Sequence, residues 1–321
     1  MGEYMSFSLK VKDELAKNMT NARHCQLAEL AAIIGMCGRI FTSPKGKHSF
    51  RVTSENRNVV MKCESLIRKA FGYDSDVTVR YNIDTKNRIY IVSVLNSEVA
   101  IKILLATRIM NQDGSINSDL SLVNTVAIQN MCCKRAFLRG AFLAGGSISD
   151  PEKAYHLEVV ATGPKKAEQI LAAINSFELD ARIVVRRRYH VVYLKEGAQI
   201  VDMLNVMGAH ISLMDLENVR ILKEVRNSIN RQVNCETANM GKTIQAAVKQ
   251  VEDIRYIMEN VGIDSLSEGL ADIARVRLEY PDASLKDLGE KLSPPVGKSG
   301  VNHRLRKLSQ IAEEIRNEKL V

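Results

Sequence analysis

The chain contains 321 residues, of which 45% are hydrophobic and 26% charged, and its formal net charge at pH 7 is +8. This composition is typical of a globular protein with a sizeable core, and the length favours two or three domains. No apolar run reaches the roughly 18–20 residues that cross a bilayer. We therefore expect no membrane association and a cytoplasmic location.

The basic surplus is confined to the larger, N-terminal part of the chain. Residues 240–321 contain 13 basic and 13 acidic side chains, so the whole surplus lies before residue 240. Such a surplus favours an anionic partner, and nucleic acid is the commonest one. The alternative interpretation is that scattered lysines keep the protein soluble.

The six cysteines show no spacing that is typical of a metal site or a disulfide framework. No C-x-x-C pair occurs, no histidine accompanies the cysteines at the usual ligand spacing, and an adjacent pair is poorly placed for a disulfide. We therefore expect no metal ion and no cofactor, with the cysteines acting as small buried apolar side chains. They are Cys25, Cys37, Cys63, Cys132, Cys133 and Cys235.

A first helix is predicted around the segment LAAIIGMCGRI, residues 30–40. Ala28 and Ala32 lie one turn apart on one face of this helix, which lets a second helix approach closely. The pattern then predicts two strands, a helix, two further strands and a closing helix. Basic side chains on the predicted turn and strands of this unit are suited to phosphate contact. They are Lys45, Lys47, Arg51, Arg80 and Arg88.

A second copy of this unit begins with the segment LRGAFLAGGSI at 138–148, which aligns without a gap on the segment at 30–40. The same order of elements follows, so the sequence predicts two repeats, at about residues 20–125 and 126–225. Strand alternation indicates sheets with one covered face. Small residues again share one helix face, and three arginines at the last predicted hairpin are either phosphate contacts or a solvated turn. These two sets are Ala136, Gly140 and Ala144, and Arg186, Arg187 and Arg188.

The two small-residue helices resemble the paired motif helices of LAGLIDADG homing endonucleases, and they align with that motif at Leu30–Gly38 and Leu138–Gly146. The resemblance implies two lobes related by a pseudo-twofold axis, with two sheets that form a saddle over DNA. In that family a catalytic acid precedes the final glycine and helps to bind metal ions. Here Cys37 and Gly145 stand at those positions, and Glu29 lies outside the motif. We therefore expect a scaffold that does not cleave DNA.

The C-terminal part of the chain predicts short helices separated by tight turns. Residues 230–243 are polar and rich in Asn, and they are predicted to be a linker or a helix break before a domain at 244–321. Ser284 is predicted to cap one helix, with Asp287 three residues later, and Ser299 is predicted to cap the last helix. Two short helices across a turn, the second basic at its start, indicate a helix-turn-helix. A three-helix bundle used for protein contact is the alternative.

In a helix-turn-helix, the start of the second helix enters the major groove of DNA. Side chains suited to bases and phosphates follow the predicted turn, and free backbone N–H groups at the helix start suit a phosphate. The predicted DNA-binding residues of this segment are Lys298, Ser299, Asn302, His303, Arg304, Arg306 and Lys307.

The complete chain resembles the WhiA family, through LRGAFLAGGSISDPEKAYHLE and LSPPVGKSGVNHRLRKL above all. The resemblance implies an α+β fold: a degenerate LAGLIDADG domain of two αββαββα repeats at 1–229, followed by an all-α helix-turn-helix domain. It also implies a nucleoid-associated transcription regulator of sporulation, or of cell division and chromosome segregation, in a Gram-positive bacterium. Its partners would be double-stranded DNA and RNA polymerase or another regulator. A residual metal-dependent endonuclease and a protein- or ligand-binding scaffold are the alternatives.

Overall fold

The computed structural model describes residues 6–81, 87–116 and 125–318. The chain divides into two compact units, Met1–Lys223 and Glu224–Val321. Each unit has its own apolar core.

The first unit contains the predicted duplication. An additional helix, α1 (Phe7–Lys17), precedes both repeats, and the sequence pattern did not predict it. The first repeat comprises α2 (Arg23–Cys37), β1 (Gly38–Thr42), β2 (His48–Ser54), α3 (Arg57–Phe71), β3 (Asp76–Tyr81), β4 (Arg88–Val94) and α4 (Ser97–Ala106). The second comprises α5 (Met131–Gly145), β5 (Gly146–Ile148), β6 (Leu157–Ala161), α6 (Pro164–Asn175), β7 (Arg182–Arg186), β8 (Tyr189–Leu194) and α7 (Gly197–Met207). The predicted element order is confirmed in both repeats.

Each repeat folds its four strands into one antiparallel sheet of the same topology. The strand orders are β1-β2-β4-β3 and β5-β6-β8-β7. In the first sheet Phe50 pairs with Val94 and Val52 with Val92, and these four side chains are fully buried. Because neighbouring residues on a strand point to opposite faces, this register covers one face with helices and leaves the other accessible.

A helix of 51 residues, α8 (His210–Asn260), runs through the predicted linker. The prediction of a helix break at 230–243 was wrong. The segment contains no proline and a single glycine, Gly241, so its polar residues lower helix propensity without breaking the backbone ladder. Thr243 Oγ1 also donates to the Asn239 carbonyl at 2.9 Å, a bond that the helix accommodates.

The described residues of the second unit form helices joined by turns, with no strand among them. After α8 and a short 3-10 turn at Ile263–Ser265 come α9 (Glu268–Glu279), α10 (Leu285–Glu290) and α11 (Lys298–Glu318). Their core contains Leu288 and Leu292 from the α10 region and Val301, Leu305 and Leu308 from α11. The C-terminal part of α8 adds Ile254 and Ile257 to the same core.

Candidate nucleic-acid interface

Helices α2 and α5 pack against each other with almost no space between their backbones. A Cβ atom on Gly140 would lie 2.5 Å from the Glu29 carbonyl oxygen and 3.0 Å from the Ala32 Cβ. Ala28 and Ala136 are fully buried in the same interface region. The predicted contact between the small-residue faces is therefore confirmed, and it fixes how the two repeats meet.

The C-terminal ends of α2 and α5 carry the positions that correspond to the acids of a LAGLIDADG nuclease. The Cys37 thiol donates to the Ile33 carbonyl at 3.2 Å, and burial raises the pKa of Cys37 to about 12. A Cβ on Gly145 would lie 2.6 Å from Met36 Cε and 2.9 Å from the Val160 carbonyl oxygen. One position thus holds a neutral thiol, and the other has no room for a side chain.

A groove of about 710 Å³ opens at this end of the helix pair. Among the described residues, no Asp or Glu lines it, whereas four basic side chains do. These are Arg39, Arg51, Arg80 and Lys166. The groove therefore presents positive charge where a nuclease would hold metal ions, and such a surface suits a phosphate backbone.

The register of the first sheet explains how the arginines reach this groove. Arg39 pairs with Arg51 across β1 and β2, and Arg51 alternates with the buried Phe50 and Val52. Arg51 and Arg80 were predicted as basic side chains on the strands of the first repeat, whereas Arg39 was missed because it directly follows the motif. Lys45, Lys47 and Arg88 do not line the groove.

The three predicted arginines of the second repeat lie at an exposed hairpin. Arg187 and Arg188 form the turn between β7 and β8, and Arg186 ends β7. Arg186 Nη1 donates to Glu158 Oε2 at 3.0 Å, so an acidic side chain offsets part of its charge. The position at a turn is confirmed, while DNA contact by these residues stays a prediction.

Glu29 belongs to a buried ionic group and not to a metal site. Its Oε1 lies 3.2 Å from Lys62 Nζ and 3.1 Å from Arg139 Nε, and Arg139 Nη1 also donates to the Met207 carbonyl at 3.0 Å. Burial raises the pKa of Glu29, and the charges of Arg139 and Lys62 oppose that shift. This group joins α2 and α3 of the first repeat to α5 of the second.

The helix-turn-helix is formed by α10, the turn after it and α11. Ser284 and Asp287 make the predicted capping box at the start of α10. A Cβ on Gly289 would collide with the Val296 carbonyl oxygen, so only glycine lets the turn pack this closely on α10. The connection thereby places the start of α11 directly beside α10.

The start of α11 differs from the prediction by two residues. The Gly297 carbonyl accepts the first helical hydrogen bond, from the Val301 N–H at 3.1 Å, and the helix begins at Lys298. The prediction that Ser299 caps this helix was wrong, because glycine is itself an acceptable cap residue and the chain enters the helix earlier. Lys298 and Ser299 nevertheless lie in the first turn, where backbone N–H groups have no helical partner.

One face of α11 is polar and accessible, opposite the side that packs in the core. His303, Arg306 and Lys307 are exposed, and Asn302 is half-buried. Arg304 turns the other way, since its Nη1 donates to the Gly269 carbonyl on α9 at 3.3 Å. The predicted set therefore separates into an exposed face and one arginine that contacts the protein's own backbone.

Family models match most of the chain. The WhiA N-terminal LAGLIDADG-like domain matches residues 23–110, the WhiA LAGLIDADG-like domain 134–226, and the WhiA C-terminal HTH domain 229–312. The chain belongs to the WhiA family. The duplicated αββαββα fold followed by a helix-turn-helix domain is the WhiA arrangement.

Full-length relatives agree with this assignment to the WhiA family. The chain is 49% identical to the probable cell division protein WhiA of Lachnoclostridium phytofermentans, over 97% of this chain and 100% of the relative. It is 48% identical to the protein of the same name from Alkaliphilus oremlandii, over 98% and 99%. The crystal structure of full-length DUF199/WhiA from Thermatoga maritima matches with a TM-score of 0.60 at 24% identity, over 97% and 99%. That last match shows the fold.

Among the described helices, none combines sufficient length with sufficient apolar character to cross a bilayer.

Proposed function

We propose that this WhiA-family chain is a sequence-specific regulator that binds double-stranded DNA through α11. The observation that carries the proposal is the exposed polar face of α11, which lies opposite the side of the helix that packs in the helix-turn-helix core. This face is formed by Ser299, His303, Arg306 and Lys307. Arginine and asparagine side chains at the start of such a helix read base edges in the major groove. The half-buried Asn302 lies at the edge of the same face.

We further propose that the first unit holds DNA without cutting it. The groove at the ends of α2 and α5 has basic lining and, among the described residues, no carboxylate. Phosphodiester cleavage of the LAGLIDADG type needs metal ions held by acids, and neither a protonated thiol nor a glycine supplies a ligand for Mg²⁺. The basic surplus of this unit then contributes salt-dependent affinity through Arg39, Arg51 and Arg80.

The names of the relatives support a role in cell division. On this proposal the protein acts in the cytoplasm on the nucleoid, and RNA polymerase or another regulator is the partner through which DNA binding alters transcription. A sporulation role is the other function that WhiA-type regulation implies, and an occupancy map over the genome would separate the two by the genes bound.

For the domain organisation we propose a LAGLIDADG-like domain at 1–229 and a helix-turn-helix domain at 244–321, connected by the helical segment 230–243. The division of the chain after Lys223 and the family-model boundary between 226 and 229 support a junction near this point. All residues of the connecting segment are exposed.

The DNA-binding proposal is tested with Arg306→Ala/Lys307→Ala in the full chain. Binding to a 30-base-pair duplex of random sequence is measured by fluorescence anisotropy at several salt concentrations, and its salt dependence reports phosphate contacts. The same titration with a duplex selected from a random pool reports contacts to specific bases. We expect the salt slope to fall by about 1 for each phosphate that the variant no longer touches, and the selected duplex to lose about 1–3 kcal/mol per base contact. The matched control is Lys249→Ala/Arg255→Ala, which removes the same charge from α8.

Equal affinity and equal salt slope in the Arg306→Ala/Lys307→Ala variant and the control would contradict this assignment and favour the protein- or ligand-binding scaffold. The non-cutting part is tested separately, by incubating the purified chain with supercoiled plasmid and Mg²⁺ or Mn²⁺. We expect no nicking; nicking that persists through repurification and is lost on mutation of the groove arginines would establish the residual endonuclease.

A further inference from the structure

Four potential metal ligands come together at the N-terminal ends of α2 and α5, opposite the groove. His24 and Cys25 lie in the first turn of α2, and Cys132 and Cys133 lie in the first turn of α5. In the ungapped alignment of the two repeats, His24 falls on Cys132 and Cys25 falls on Cys133. The duplication itself therefore builds the cluster, with two ligands from each copy.

The distances within the cluster suit one tetrahedral ion. All four ligand atoms lie within 4.8 Å of one another. His24 Nδ1 lies 3.1 Å from Cys133 Sγ, 3.3 Å from Cys25 Sγ and 4.0 Å from Cys132 Sγ. Zinc bonds of about 2.3 Å to sulfur and about 2.0–2.1 Å to nitrogen give N–S edges of about 3.6 Å in a tetrahedron. The three observed N–S distances lie on both sides of this length.

The chemistry of the ligands selects the class of metal. Three thiols and one imidazole form a Cys₃His set, which suits zinc and does not suit the hard cations Mg²⁺ and Ca²⁺. Cys25 and Cys133 are 5% and 3% exposed and form the floor of the cluster, while His24 and Cys132 close it on the solvent side. Four protein ligands leave no open position, so the site is structural.

The surroundings also suit a complex of net negative charge. The ligands lie in the first turns of α2 and α5, where the positive ends of the helix dipoles are located. Neither helix has a side-chain cap at its N-terminus. Zinc is bound by cysteine as a thiolate and by histidine as a neutral imidazole, so zinc affinity at this ligand set depends on pH.

We propose that His24, Cys25, Cys132 and Cys133 form a structural zinc site that joins the two repeats at the N-terminal ends of α2 and α5. The expectation of no metal site depended on ligand spacing along the chain. In the fold, the second half of the ligand set comes from the other repeat, which is too far along the chain for a local spacing motif to include.

The test compares the full chain with His24→Ala/Cys132→Ala, which removes the two exposed ligands and leaves the buried thiols and the α2–α5 packing intact. The matched control is His48→Ala/Cys235→Ser, which removes one histidine and one cysteine outside the cluster. The proteins are purified under reducing conditions with zinc present, dialysed, and analysed by elemental mass spectrometry. We expect about one zinc per chain in the wild type and the control, and almost none in the variant.

Cobalt provides a second measurement that does not depend on metal acquired during purification. Titration of the zinc-free wild type with Co²⁺ is expected to give the intense visible bands of a tetrahedral ion and a thiolate charge-transfer band, both removed by one equivalent of Zn²⁺. We expect the affinity for Co²⁺ to fall more than about 100-fold in His24→Ala/Cys132→Ala, because loss of outer-shell partners alone costs 10–100-fold at other sites. Circular dichroism establishes that the variant is folded.

Three results would overturn the proposal. The first is a wild type that retains no zinc and gives no tetrahedral cobalt spectrum. The second is equal metal binding by the wild type and the folded variant. The third is a disulfide between the peptides that carry Cys25 and Cys133 in protein isolated without reductant, which would assign the cluster to thiol oxidation instead.

Discussion

The two ends of the α2–α5 pair have the same origin in the duplication and opposite chemistry. At the C-terminal ends, the equivalent positions Cys37 and Gly145 offer no ligand, and the surrounding groove is basic. At the N-terminal ends, the equivalent positions offer a histidine and three cysteines. The central contact between Gly140 and Glu29 holds the helices in one register, so the side chains at either end can differ without a change in the fold.

The packing of α2 on α5 is therefore independent of the side chains that the two ends of the pair carry. The helix pair is about 22 Å long at 1.5 Å per residue for 15 residues, so its two ends do not share side-chain contacts. What they share is the middle, where small residues and one buried ionic group fix the interface. A change in the middle should therefore affect both ends, whereas a change at one end should leave the other intact.

The largest effect is expected from Glu29→Gln, which disrupts the buried ionic group in the middle of the helix pair. Lys62 and Arg139 would keep their charges in a buried site without the carboxylate, a loss that typically costs about 3–5 kcal/mol. Urea denaturation should show a lower midpoint for the first unit, and zinc affinity and groove binding of DNA should both decrease. Glu98→Gln, an exposed change in the first turn of α4, is the matched control. An unchanged midpoint would contradict the structural role of the ionic group.

A smaller effect is expected from Gly140→Ala. The new methyl group would meet the Glu29 backbone at 2.5 Å, and overpacking of this kind costs about 1–3 kcal/mol. Gly241→Ala is the matched control, because it makes the same substitution inside α8, where nothing lies within 4 Å of the added atom. There the change should be neutral or stabilise the helix by up to about 1 kcal/mol. Equal destabilisation of both variants would remove the argument for close packing at Gly140.

The sequence predicted most of the fold because the relevant signals are local or repeated. The ungapped match between residues 30–40 and 138–148 located both central helices, the shared order of elements after them located the strands, and the capping box at Ser284 located α10. The continuous helix through 230–243 was missed because composition lowers helix propensity there without supplying a breaker such as proline. The hydrogen bond from Arg304 to the Gly269 carbonyl was missed because a sequence does not show contacts between distant residues, and DNA contact by Arg304 stays a prediction.

The candidate sites were harder to predict than the fold, since they depend on contacts between distant residues. The basic groove draws Arg39 from β1, Arg80 from β3 and Lys166 from α6, and the last of these belongs to the other repeat. The cysteine cluster likewise combines both repeats. Pairing equivalent positions of the two repeats, His24 with Cys132 and Cys25 with Cys133, is the signal that would have found the cluster from the sequence.

The smallest effect is expected from single arginine substitutions, one in the groove at the C-terminal end of the pair and one at the hairpin of the second repeat. Arg51→Ala removes a groove cation, and its loss should reduce the salt slope of binding to a random duplex by about 0.9 if it contacts one phosphate. Arg186→Ala removes an arginine whose charge Glu158 already offsets at 3.0 Å, so the slope should change less. Both variants lose one charge, which makes each the control for the other in the same anisotropy titration. A larger change for Arg186→Ala would move the DNA-holding surface from the groove to the hairpin of the second repeat, while leaving the zinc content of the opposite end unaffected.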